Sequence, residues 1–106
     1  MQRSLEQSSQ ELQAKFEELL ESRHVYYDPP ASLKMKYDAI VFSRSRIDNW
    51  HADNMPYKRS LRYEVTTITK DPDAPIIEKI ANLPTCTHDR HFVSDNLHHN
   101  TFILYN

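Results

Sequence analysis

The chain contains no glycine, where ordinary usage of about 7% would place roughly seven in a chain of this length. Glycine takes left-handed backbone without a steric cost, so tight reversals here fall to Asn, Asp and Pro. The phosphate-cradling loops of nucleotide-binding folds also go, because their glycines let the backbone approach the phosphates closely. Nucleotide-dependent chemistry is therefore not expected.

A length of 106 residues sets one domain, residues 1–106, with the first few residues frayed. A domain this small buries only about two-thirds of its unfolded surface, so its core is modest. Charged residues make up 26% and the mean hydropathy is -0.74, polar for a folded domain. Aromatic residues still supply 10% of the chain, which sets it apart from a disordered composition. A polar subunit with so small a core is suited to completing its burial against neighbours.

Thirteen Lys and Arg against fifteen Asp and Glu give a net charge of -2. The basic residues are interleaved with acidic ones, so there is no basic footprint for DNA or RNA. Cys86 is the single cysteine, which rules out an internal disulfide and points to no oxidising compartment. Residues 1–10 are polar and lack the apolar core of a signal peptide, and no apolar run approaches the roughly 20 residues of a membrane helix. These features predict a chain made and folded in the cytoplasm, with no membrane partner.

Hydrophobic spacing orders the elements. Leu5, Leu12, Phe16, Leu19 and Leu20 share one face of a helix over residues 5–22, with Ser8 and Glu11 spaced as a capping box that starts its stable part near Ser9. Val25, Tyr26 and Tyr27 form a short strand stopped by Asp28-Pro29-Pro30. Residues 39–42, the most apolar stretch, predict a central strand. Residues 46–58 read as an irregular polar loop with Trp50 and Met55 embedded. Leu61, Tyr63 and Val65 alternate with Arg62, Glu64 and Thr66 in a half-buried strand over 59–69. Asp71-Pro72-Asp73 opens a second helix with Asp as cap and Pro in the first turn; Ile76, Ile77, Ile80 and Leu83 give its apolar face, and Pro84 ends it. Residues 85–94 and 98–105 make two strands around Asp95-Asn96, a hairpin turn without glycine. The fold class is α+β: a mainly antiparallel sheet of four to five strands carrying an N-terminal helix and a second helix.

The histidines are the first candidates for chemistry. A two-residue turn at Asp95-Asn96 sets Val93 opposite His98 and Phe92 opposite His99. His91 and His98 then share a face diagonally, at a spacing where two imidazoles could share a metal. Strand alternation puts His88 on the other face, and Asn100 is a poor third ligand because an amide binds zinc weakly. Surface and interface histidines are the simpler reading, with no metal and no cofactor. Cys86 and His88 lie two apart on a strand, so their side chains run parallel and do not converge as nucleophile and base. Asp71, Asp73, Asp89 and Asp95 read as turn and cap residues, so no catalytic residue is assigned. Trp50 in a long polar segment either folds back on its own sheet or anchors a contact between subunits, where Trp, Tyr, Met and Arg are enriched.

A leading FEELL helix is followed by HVYYDPPASLKMKYDAIVF, then by ADNMPYK and RYEVTTITKDPD. IIEKIANLP, THDRHFVSDNL and a short aromatic final strand complete the pattern, from Phe16 to Tyr105. This order resembles small proteins of the head–tail module of long-tailed bacteriophages, labelled minor capsid or tail completion proteins and similar in layout to tail terminator subunits. The resemblance implies a structural virion subunit and no enzyme. It implies a ring, usually of six subunits, that closes the tail tube and offers a docking face to the head connector. Its partners would be other copies of itself, the tail tube protein and a connector or stopper protein. Genome DNA would pass through without specific binding, and the acidic balance suits such a channel. The ring would sit in the virion neck after assembly in the host cytoplasm. Trp50, Met55 and Tyr57, with Arg90 and His91 of the hairpin, are the expected contact residues. A head-completion or adaptor protein of the same neck is the nearest alternative, and a small metal-dependent enzyme using His88, His91, His98 or His99 a more distant one.

Overall fold

In the computed structural model the described residues are 4–52 and 55–106, with side chains described outside 49–59. The element order is α1 (Leu5–Leu20), β1 (Val25–Tyr27), β2 (Ala39–Ala52), β3 (Met55–Thr69), α2 (Pro75–Ala81), β4 (Cys86–Ser94) and β5 (Leu97–Tyr105). The five strands form one sheet in the order β1-β2-β3-β5-β4. All neighbours are antiparallel except β1, which lies parallel to β2 with Val25 opposite Ile40. This is the α+β fold, with a mainly antiparallel sheet and two helices, that the hydrophobic spacing predicts.

Both helices lie on one face of the sheet. Leu12 and Phe16 of α1 and Ile76 and Ile80 of α2 pack on Ile40, Phe42, Leu61, Tyr63, Val65, Phe102 and Leu104 in one buried cluster. The Phe16 ring meets Phe42 edge-on at 5.1 Å, and Phe42 lies 6.2 Å from Tyr63. Ser8 and Tyr63 are fully buried, so their hydroxyls must find partners. The Tyr63 hydroxyl donates to Ser8 Oγ at 2.9 Å, and Asn106 Nδ2 donates to the same oxygen at 2.7 Å. Leu61 and Asn106 exchange backbone hydrogen bonds at 3.2 and 2.9 Å. The first helix, the central strand and the last residue are thereby tied at one point.

Several local expectations are corrected. Ser8 does not cap α1. Ser4 does, with Gln7 completing the box, and Ser8 is spent inside the core. Nor do Asp71 and Asp73 cap α2: Ala74 stands at its N-cap with Pro75 in the first turn, and Asp71 Oδ1 instead accepts from the Asp73 backbone N–H at 2.9 Å. The helix ends at Ala81, ahead of Pro84.

The missing glycines leave their mark in the backbone. Left-handed conformations fall on Glu21, Asp28, Thr85, Asp95 and Asn96. Asp and Asn tolerate this region, as the hairpin turn requires. Glu21 and Thr85 do not, and such residues cost about 1–2 kcal/mol each. Glu21 terminates α1 there with its N–H bonded to Glu17 and Glu18 carbonyls.

The aromatic and hydroxyl ties yield the first prediction. Tyr63→Phe removes one buried hydrogen bond and should lower unfolding stability by about 1 kcal/mol. Phe16→Ala, which opens a cavity at the same junction, should lower it by about 3–5 kcal/mol. Urea midpoints at constant slope read both.

Candidate functional site: the hairpin arm and the β4–β5 edge

The segment expected as an irregular loop over 46–58 is a β-hairpin arm. β2 and β3 pair from Ala39 opposite Ile68 out to Ala52 opposite Met55, but β5 accompanies β3 only from Arg62 to Thr69. Among the described residues the arm strands, Arg46–Ala52 and Met55–Ser60, have only each other as strand partners. About seven residues at roughly 3.3 Å each carry the arm about 20 Å past the sheet. The molecule accordingly measures 51 × 24 × 23 Å with a radius of gyration of 14.9 Å, against about 13 Å for a compact chain of this length.

Cross-strand pairing is what overrides the turn-forming composition. A β-bulge at Ser45 marks the arm's root, where an unpaired residue bends and twists the strand. The bulge is pinned from β3: Ser45 Oγ donates to the Arg62 carbonyl and Arg62 donates back to Ser45 Oγ, both at 3.2 Å. Arg46 and Asp48 form a 2.9 Å ion pair just beyond it, and Ile47 is exposed. Pro56, which cannot donate to a ladder, falls beside a second register shift that leaves Tyr57 as the extra residue. Trp50, Met55 and Tyr57 therefore occupy the distal half of the arm; their side chains lie outside the described residues.

At the other side of the sheet β4 is an edge strand, and all its residues after Cys86 are exposed. Asp95 and Asn96, both left-handed, make the two-residue turn, and Val93 and Phe92 face His98 and His99 as the spacing predicts. A further β-bulge, at Asp89, reverses the alternation on its Cys86 side. His88 pairs with Phe102 and His91 with Asn100, two positions that share a face. His88 therefore lies on the same face as His91, where strict alternation would have separated them. Asp89 is the bulged residue and not a turn residue, with its carboxylate accepting from Thr101 Oγ1 at 3.3 Å.

The bulge sorts the hairpin into two rows. On the helix-side face, beyond the reach of α2, His88 Nε2 meets Asn100 Oδ1 at 3.1 Å and His91 Nε2 meets His98 Nδ1 at 3.2 Å. Asn100 is buried beside its cross-strand partner Thr67, whose buried hydroxyl has no protein partner. On the open face Phe92 stacks on His99 at 4.7 Å and the Arg90 guanidinium lies 5.4 Å from the Phe92 ring centre. Arg90 and His91, expected together as contact residues, thus point to opposite faces. Phe92, which composition did not single out, is the exposed aromatic centre of the Arg90 row.

Cys86 is half-buried, and burial pushes its thiol above the ordinary value, so the nucleophilic thiolate is suppressed. A cleft beside Leu12, Leu83 and Tyr105 holds about 160 Å³ and a depression beside Asp89 and Thr101 about 90 Å³. Both are small against the roughly 300–1,000 Å³ of ligand pockets. Among the described residues no three His, Cys, Asp or Glu side chains gather to hold a metal ion, and no helix is long and apolar enough to cross a membrane.

Strand neighbours on one side only leave the arm ladder open to water, so the second prediction concerns hydrogen exchange. Backbone amides of Arg46–Ala52 and Met55–Ser60 should exchange at least about a hundred-fold faster than those of Arg62–Thr69 in the isolated chain, measured residue by residue by NMR. Equal protection in the two segments would mean that the arm is covered. In comparisons with known proteins, no family model, no curated protein and no solved structure matches this chain.

Proposed function

We propose that this chain is a structural subunit of the neck of a long-tailed bacteriophage, one that builds a closed ring, terminates the tail tube and joins it to the head connector. The observation that carries this reading is the hairpin arm, a two-stranded ribbon about 20 Å long with no strand partner in its own chain among the described residues. Isolated two-stranded ribbons are marginal in water, so an arm of this length is suited to lie against a neighbour. The β4 edge, at the opposite side of the sheet, offers unpaired backbone and the Arg90–Phe92–His99 row. An arm that meets a different patch on the next copy is a heterologous contact, the kind that closes into a ring when the rotation per subunit divides the circle. Trp50, Met55 and Tyr57 are the proposed anchors of the arm, and Arg90 and His91 contribute at the β4 edge. The tail tube protein and the connector are the proposed partners above and below the ring, and genome DNA the passing cargo.

Light scattering over a concentration series tests this. A hexamer is expected at about 76 kDa, six times the 12.6 kDa chain. Replacing residues 49–59 by Asn-Gly, a two-residue turn closing Asp48 against Ser60, should leave the melting temperature within a few degrees and abolish the ring. Trp50→Ala should weaken the ring in the same way without unfolding the monomer. A shortened chain that assembles as well as the full one removes the arm from the contact. A full chain that is monomeric throughout, and does not sediment with unterminated phage tails, ends the reading.

A further inference from the structure

The β4–β5 hairpin brings two imidazoles to a separation that suits a shared cation. His91 Nε2 and His98 Nδ1 stand 3.2 Å apart, on rings 5.5 Å apart and 13° from parallel. Two nitrogens each about 2.0–2.1 Å from one metal are about 2.9 Å apart at a right angle and about 3.4 Å apart at the tetrahedral angle, so the observed distance falls within the span of a chelate. We propose that His91 and His98 form a two-ligand site for a borderline divalent transition cation such as zinc or nickel, with water filling the remaining positions. The proposal is independent of the ring.

Three features of the hairpin hold the pair in place. Asp95 and Asn96 fix a two-residue turn and hence the register Val93 opposite His98, which makes His91 and His98 diagonal neighbours on one face. The bulge at Asp89 turns His88 onto that face, where it engages Asn100, the residue directly opposite His91. His88 is thus held by Asn100, and the His98 nitrogen is engaged by His91. His91 is exposed and His98 half-buried at the edge of the sheet, so a cation reaches both nitrogens without any opening of the fold.

As a hydrogen-bonded pair of neutral rings, one facing nitrogen donates and the other accepts, either ring serving as donor according to its tautomer. On binding, the donating ring moves that proton to its far nitrogen, so both facing nitrogens present lone pairs and neither ring gains charge. Imidazole prefers zinc, nickel and copper, whereas magnesium and calcium prefer oxygen ligands, so selectivity follows from the donor set. His99, on the opposite face with its Nδ1 at 3.1 Å from the Leu97 carbonyl, takes no part.

The test is calorimetric titration of the untagged full chain with nickel, zinc and, separately, magnesium chloride. One nickel or zinc ion per chain is expected, with no binding of magnesium. His91→Asn and His98→Asn should each weaken nickel binding by about ten-fold or more, while His99→Asn leaves it unchanged. Thermal melts with and without nickel give a second reading: the wild-type melting temperature should rise with nickel, and that of the two variants should not, each variant melting as the wild type does without metal. The proposal fails if the wild-type chain binds no nickel or zinc below about 1 mM. It fails equally if His91→Asn and His98→Asn bind as tightly as wild type.

Discussion

The packing of the Phe16, Phe42 and Tyr63 rings across the helix–sheet interface is the contact on which the rest of the fold depends. It joins the first helix to β2 and β3, the two longest strands of the sheet, and all three rings are fully buried. A core of this size has little to spare, since stability is a small difference between large opposing terms. The Tyr63 hydroxyl therefore matters beyond its ring. By donating to Ser8 it satisfies a buried serine in the helix, and Asn106 reaches the same oxygen from the far end of the chain. One polar point inside an apolar cluster fixes the orientation of the helix, since a rotation of α1 about its axis would leave both hydroxyls unpaired.

That core also decides what stays uncovered. Two helices of sixteen and seven residues cannot cover a sheet whose two longest strands run for fourteen and fifteen. Cover ends near Leu61 along the β2–β3 pair and near Cys86 along β4. Past the first limit the sheet becomes the arm, and past the second the exposed histidine row. Each limit is accompanied within a few residues by a bulge, at Ser45 and at Asp89. Bulges bend and twist strands where pairing no longer has to serve a packed layer.

Much of this was legible in the sequence, for physical reasons that can be named. Alternation of Leu61, Tyr63 and Val65 pointed to β3, because one face of that strand is buried and period two is what burial on one face writes. The absence of glycine correctly sent the hairpin turn to Asp95-Asn96, the residue types that tolerate left-handed backbone. The bulges were hidden, since one extra residue leaves no trace in composition yet inverts every side chain beyond it. Period two therefore put His88 on the wrong face. Asn49 and Pro56 looked like parts of a loop because local propensity favours turns, but a long antiparallel partner outweighs propensity in a ribbon. Ser8 fitted a capping pattern on local grounds and was claimed instead by a tertiary hydrogen bond to Tyr63, 55 residues away.

A ribbon that extends past its own core raises the question of what keeps it from pairing indiscriminately. Exposed strand edges are templates for aggregation, and charged residues, prolines and bulges are the usual protections. The arm carries Arg46, Asp48, His51, Lys58 and Arg59, has Pro56 in its ladder and is bulged at both ends. β4 is treated likewise, with Asp89 and Arg90 at a bulge and histidines along one face. Both edges therefore carry the features that oppose flat, register-free pairing, and the Phe92 ring stays exposed on the open face of β4. On the proposed assembly these two properties act together. The charges and bulges would oppose indiscriminate pairing of the free subunit, and a neighbour that fits the twist of the arm would complete its strand pairing. A chain selected solely to fold alone would have little use for a long ribbon whose strands pair only with each other among the described residues, which is why the arm argues more strongly for a partner than any single side chain on it.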